Sequence, residues 1–181
     1  MKKNWLLSFA VIALCCCFNS CNTATPEEYF DIAVLNSNML AGFANDGFER
    51  QLESPPAMMV AGQDKPVAEK RIDFLQTQLH FIEEDFAKLK DLKTTEDAKI
   101  IIEPSIALYE YVLPVYKKEY SELANLYDDN APKEKIAALK QSIHDKYAAE
   151  FETLYNQLIS NGKLYAAKHT IKVNWNVGSA E

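Results

Sequence analysis

Apolar positions in this chain recur at spacings of three and four over most of its length, which is the period of an α-helix packed on one face. A first helix is predicted from Thr25, with Ile32, Leu35, Met39 and Phe43 as its stripe. Thr25-Pro26-Glu27-Glu28 reads as its start. Thr25 caps, Pro26 suits the first helical position, and Glu28 completes a capping box. This helix frays near Asn45-Asp46-Gly47, with one further turn through Leu52. Ser54-Pro55-Pro56 then breaks it, because paired prolines lack donors and force extended backbone.

Asp64 reads as the N-cap of a second helix, striped by Ala68, Ile72, Leu75, Leu79, Ile82, Phe86 and Leu89. Thr94 or Thr95 caps a third, striped by Ile102, Ile106, Tyr109, Leu113, Tyr116, Tyr120, Leu123 and Tyr127. Pro104 and Pro114 fall inside it and predict a kink or a break. Asn130 and Pro132 open a fourth, carrying Ile136, Leu139, Ile143, Tyr147, Phe151, Leu154 and Leu158, with one slip in phase between 143 and 151. Asn161-Gly162 is its expected C-cap, with a short helical piece from Leu164 to His169. From Thr170 to Val177 the pattern switches to strict alternation, predicting an extended tail that lies on the helices. The expected fold is all-α: an up-down-up-down four-helix bundle over residues 25–169, with an extended C-terminal tail over 170–181.

The first twenty-one residues follow a different pattern. Lys2 and Lys3 precede an apolar run from Trp5 to Leu14, and Cys15-Cys16-Cys17-Phe18-Asn19-Ser20-Cys21 follows. The run is shorter than the roughly 20 residues that span a bilayer. The layout is that of a lipoprotein signal peptide over 1–20, with a lipid-anchored tether over 21–24. Cys21, after Ser20, is the favoured lipidation site; Cys17 is the alternative, and cleavage near Ser20 without lipid is a third reading. Acyl chains add roughly 0.8 kcal/mol per buried CH₂, so palmitate-length chains hold such a protein on a membrane firmly.

Cysteine usage narrows the chemistry. All four cysteines lie within 15–21, so no disulfide framework, thiol nucleophile or Cys-ligated metal site is expected downstream. Without residues 1–20 the net charge moves from −7 to −9, because Lys2 and Lys3 leave with them. Such an acidic domain argues against nucleic-acid binding and against direct attraction to anionic lipid.

A carboxylate-bridged di-metal bundle needs two Glu-x-x-His motifs. None precedes His80, His144 or His169, and His80-x-x-Glu83 occurs once. Haem would need an axial pair such as Met39 with a histidine, but Met39 lies on the apolar stripe. Ser105, Ser121 and Ser142 have no nucleophile-elbow context. Neither cofactor, bound metal nor catalysis is expected. The tyrosines are the unusual feature: Tyr109, Tyr116, Tyr120 and Tyr127 share one stripe, with Tyr111 beside them and Tyr147 and Tyr155 on the fourth helix. One reading is an aromatic groove, opened by a kink at Pro114, that binds a small ligand or glycan; the other is an amphipathic core. The Pro55-Pro56 loop with Met58 and Met59, or Trp175, is the expected apolar patch for an envelope protein partner.

Cys21 after Phe18-Asn19-Ser20, the Thr25-Pro26-Glu27-Glu28 entry and the Tyr-rich third helix together make the chain resemble bacterial surface lipoproteins of unknown function that carry a helical domain. The resemblance implies an envelope location, by default the outer membrane in either leaflet, and membrane contact through Cys21. It implies no catalytic activity and no transferable site residues.

Overall fold

The computed structural model describes residues 24–54, 57–58 and 66–175. The segment read as a lipoprotein signal, Cys17 and Cys21, Pro55 and Pro56, Asp64, Met59 and the residues after Trp175 lie outside them, and so does the side chain of Met58. Apart from one two-residue ladder, the regular structure of the described residues is helical. Helix α1 (Pro26–Phe30) runs on through a π turn (Asp31–Leu35) and a 3₁₀ turn (Asn36–Leu40). Then come α2 (Asp46–Glu53), α3 (Arg71–Asp91), α4 (Lys99–Val115), a π turn (Tyr116–Tyr120), α5 (Ser121–Asp128) and α6 (Lys133–Lys168). A two-residue antiparallel ladder pairs β1 (Ala57–Met58), in the expected loop, with β2 (Val67–Ala68), which corrects the expected helix start: Ala68 is in the ladder and the helix begins at Arg71.

Local chemistry explains the boundaries. The capping box is present: Glu28 N–H donates to Thr25 Oγ1 at 3.2 Å, and Thr25 N–H donates to Glu28 Oε2 at 2.7 Å. Beyond it the π and 3₁₀ turns shift the helical phase. The buried stripe is Phe30, Ala33, Val34, Ser37 and Leu40, not Ile32, Leu35 and Met39, which are half-buried or exposed. Thr95 Oγ1 accepts the N–H of Ala98 at 3.1 Å and tightens the approach to α4. The N-terminus of α3 is capped from a distance. Asp128 accepts the N–H groups of both Arg71 (2.9 Å) and Ile72 (3.0 Å).

Two expected boundaries around α6 are corrected. Asn130 ends α5 at φ 52° rather than starting α6, and Pro132 takes the N-cap position. Asn161-Gly162 is interior to α6, which continues unbroken to Lys168 before Thr170 turns at φ 59°. Gly162 persists in mid-helix because α1 crosses there; a Cβ would lie 2.9 Å from Val34 Cγ1. The described part of the expected tail, 171–175, forms no strand or helix.

One core joins all these elements. Leu75, Leu79, Ile82 and Leu89 of α3, Ile102 and Leu113 of α4, and Ile143, Phe151 and Leu158 of α6 are buried as their stripes predict. Ile171 and Val173 pack against the same core, and Trp175 meets Phe30 edge-on at 5.9 Å. Among the described residues no helix is long and apolar enough to cross a membrane.

Candidate functional site

Two prolines shape the tyrosine-bearing helix. Pro104 has no N–H to give Ile100, four residues back. Asn161 of α6 reaches across and donates its Nδ2 to that carbonyl at 2.8 Å. Pro114 is exposed and sits two residues before the π turn. The wider turn brings both Tyr116 and Tyr120 onto the core side, and Ser121 Oγ donates to the Tyr116 carbonyl at 3.3 Å.

The expected groove on this face is filled. Tyr109, Tyr116 and Tyr120 are 0–1 % exposed. Phe43 and Phe48 occupy the space beside them: Phe43 lies 5.7 Å from the Tyr116 ring and 6.0 Å from Tyr120, and Phe48 lies 4.9 and 4.8 Å from the same two. Phe86 stacks on Tyr109 at 5.6 Å. In this conformation those three tyrosines are core residues and present no surface to a ligand. Burial pushes their hydroxyl pKa values upward. The Tyr120 hydroxyl accepts the Ala44 N–H, whereas those of Tyr109 and Ser105 are buried without a hydrogen-bond partner.

Tyr127 is the exception. It is half-buried and lines a cavity of about 670 Å³ with Glu53, Arg71, Lys133, Ile136 and Lys140. Its pKa is raised, first by burial and then, against the pull of Lys140, by Glu53 and Glu49. Two of the three cations here, Lys140 and Arg71, are already engaged. Lys140 pairs with Glu49, itself 4 % exposed, at 3.2 Å, and Arg71 lies 3.7 Å from Asp128. Tyr111 and Tyr147 sit at the edge of the core: Tyr111 donates to the Tyr147 carbonyl (3.2 Å), and Tyr147 donates to Glu119 (2.9 Å).

The three histidines stay apart. His80 is exposed and 3.4 Å from Glu84, and His144 is exposed beside Asp145. His169 lies 2.6 Å from Asp97, which also binds Lys168; hydrogen bonding from Lys168, then from His169, holds the Asp97 carboxyl below its usual range. No group of three or more potential metal ligands occurs among the described residues. Met39 packs against the core.

Two surface features escape the helical stripes. One is a cleft of about 730 Å³ between the first helical stretch, α6 and residues 171–175. The alternation from Thr170 to Val177 was the signal for it. The other is a shallower groove of about 510 Å³ between α4 and α6, containing Ile100, Pro104, Ala107, Leu154 and Leu164. No family model, curated protein or solved structure matches the chain.

Proposed function

We propose that the chain is a lipid-anchored, non-catalytic interaction module of a bacterial cell envelope, held at the outer membrane through acylated Cys21. In this reading its helices form an up-down-up-down four-helix bundle that presents a protein-binding face. The observation that carries the reading is the α4–α6 groove. Leu164 is 66 % exposed and Ile100 is 40 % exposed, and Pro104, Ala107 and Leu154 lie beside them. Covering two such side chains gains about 1.5–3 kcal/mol for each one fully buried. A row of apolar side chains between two helices suits an amphipathic helix laid into the groove, with Lys99 and Glu103 at the rim to set its register.

A photo-crosslinking residue at Leu164, in the full chain in its own cells, tests the surface. A discrete adduct with one envelope protein, absent when the probe replaces the isolated exposed Phe81, supports it. Equal labelling from both positions rejects it. The anchor is tested separately by Cys21→Ser, which should move the protein from the membrane to the soluble fraction. The alternative of a small-ligand or glycan binder on Tyr109, Tyr116, Tyr120 and Tyr127 retains one ring at a cavity, that of Tyr127.

A further inference from the structure

The cleft beside the C-terminal segment has a chemistry of its own, independent of the proposed partner groove. Its floor is Phe30, Val34 and Ile159, and its far wall is Ile171, Val173 and Trp175. Phe30 and Val34 are buried at its base, and Trp175, 37 % exposed, closes one side edge-on to Phe30. Along the first helical stretch the lining runs from Phe30 to Ala41, about 16 Å at helical rise. The volume, about 730 Å³, is that of a small-molecule site.

The polar side chains of the lining besides Tyr155 are Asp31, Asn38, Lys172 and Asn174. Asn38 accepts the Tyr155 hydroxyl at 3.1 Å at one end. Near Trp175 the rim carries Lys172, and Lys163 Nζ sits 5.6 Å from the centre of the Trp175 ring. Among the lining residues Asp31 is the acid and Lys172 the cation, and Lys163 over the Trp175 ring adds a second ammonium at that end, on a chain whose net charge is −7. A sugar would press hydroxyls against Val34, Ile159 and Val173, where they would lose water without gaining a partner. An alkyl chain loses nothing there and gains about 0.8 kcal/mol per CH₂ buried.

We propose that this cleft binds a single-chain amphiphile with an anionic head. The alkyl chain lies along Val34 and Ile159, and the head rests at Lys172 and Lys163. Carboxylate and phosphate monoester heads share this chemistry.

The test uses the full chain carrying Trp5→Phe, in which Trp175 is the remaining indole and reports from the cleft wall. Sodium dodecanoate and lauroyl lysophosphatidate, each below micelle formation, should give a saturable change in Trp175 emission. The tighter of the two identifies the head. Dodecyltrimethylammonium should bind at least about tenfold more weakly, and maltose should give no change. Lys172→Glu, an exposed substitution, should weaken the anionic probes and narrow or reverse the preference over the cationic one. Leu35→Glu, at the cleft mouth, should weaken all three amphiphiles. The proposal is overturned by an unsaturable response, by equal affinity for the cationic and anionic probes, or by an unchanged preference in Lys172→Glu.

Discussion

The Tyr120 hydroxyl accepts the backbone N–H of Ala44 at 2.8 Å, joining positions 76 residues apart inside the core. Ala44 is fully buried and held at φ 50°, a left-handed conformation that costs a non-glycine residue roughly 1–2 kcal/mol. Its N–H faces away from helical partners, so the tyrosine supplies the acceptor that water cannot. Tyr120→Phe keeps the ring and strands the amide. The expected loss is about 1–3 kcal/mol in urea unfolding at an unchanged m value. A loss of only a few tenths would mean that the amide finds another acceptor.

Tyr109 makes the opposite prediction. Its hydroxyl is buried without a partner, so Tyr109→Phe removes a desolvated group and keeps the stacking on Phe86. Stability at neutral pH should hold or rise by up to about 1 kcal/mol. A clear loss in thermal and urea unfolding would reveal a bond the hydroxyl makes in solution.

Alkaline pH should unfold this protein early. Burial raises the pKa values of Tyr109, Tyr116 and Tyr120 and pushes that of Tyr165 up to about 12. In the unfolded chain they ionise near 10. Above that pH the unfolded state sheds protons that the folded state keeps, so stability is intact below about pH 10 and falls as pH rises. Each fully sealed tyrosine adds about 1.4 kcal/mol per pH unit to the slope. Urea titrations between about pH 9 and 11 measure it, and Tyr109→Phe should make the slope shallower by one such increment. Identical slopes in the two proteins would contradict the burial.

Asn161 and Pro104 should be energetically coupled. Asn161 donates to the Ile100 carbonyl that Pro104 leaves without its helical donor. Asn161→Ala should cost about 1 kcal/mol in the wild-type background. In Pro104→Ala the restored N–H serves the same carbonyl, and the cost should shrink toward zero. Additive effects in the double-mutant cycle would show that the side chain acts elsewhere.

Gly162 is expected to be a contact residue rather than a flexible one. In an exposed helix Gly→Ala gains about 1 kcal/mol, but here the new Cβ would meet Val34 Cγ1 at 2.9 Å. Gly162→Ala should therefore destabilise, by about 1–3 kcal/mol for the overpacking less the helix gain. In a Val34→Ala background the same change should be neutral or stabilising. A gain in both backgrounds would place α1 and α6 further apart.

Most of α3, α4 and α6 was legible because long stretches of their stripes hold phase: Leu75, Tyr109 and Phe151 are buried where spacing alone puts them. The first helix was not. Around the π turn at Asp31–Leu35, Phe30 and Val34 pack on Gly162, a contact between residues 128 or more positions apart that local spacing does not encode. Periodicity also cannot tell an aromatic groove from an aromatic core. What decides it is whether another segment supplies rings to fill the space, and Phe43 and Phe48 come from a stretch that reads as a fraying helix end. The cleft by Trp175 was half legible: alternation predicted a segment lying on the helices, but not the gap beneath it.

Helix α6 has 36 residues, about 54 Å at 1.5 Å each. Tyr29 donates to the Lys93 carbonyl at 2.6 Å, and Asp97 binds Lys168 and His169, so the start of α1, the α3–α4 connection and the end of α6 meet at one pole. Asp128 and Arg71 meet near Pro132, where α6 begins. The fold is therefore a strut with Ala24 leading into one foot. A membrane holding the chain ahead of Ala24 would carry the Tyr127 cavity at the far tip, at a stand-off comparable to the roughly 40–45 Å thickness of a whole bilayer. That reach is fixed by helix rise alone, so inserting or deleting turns in the rod would retune it without touching the chemistry at either end.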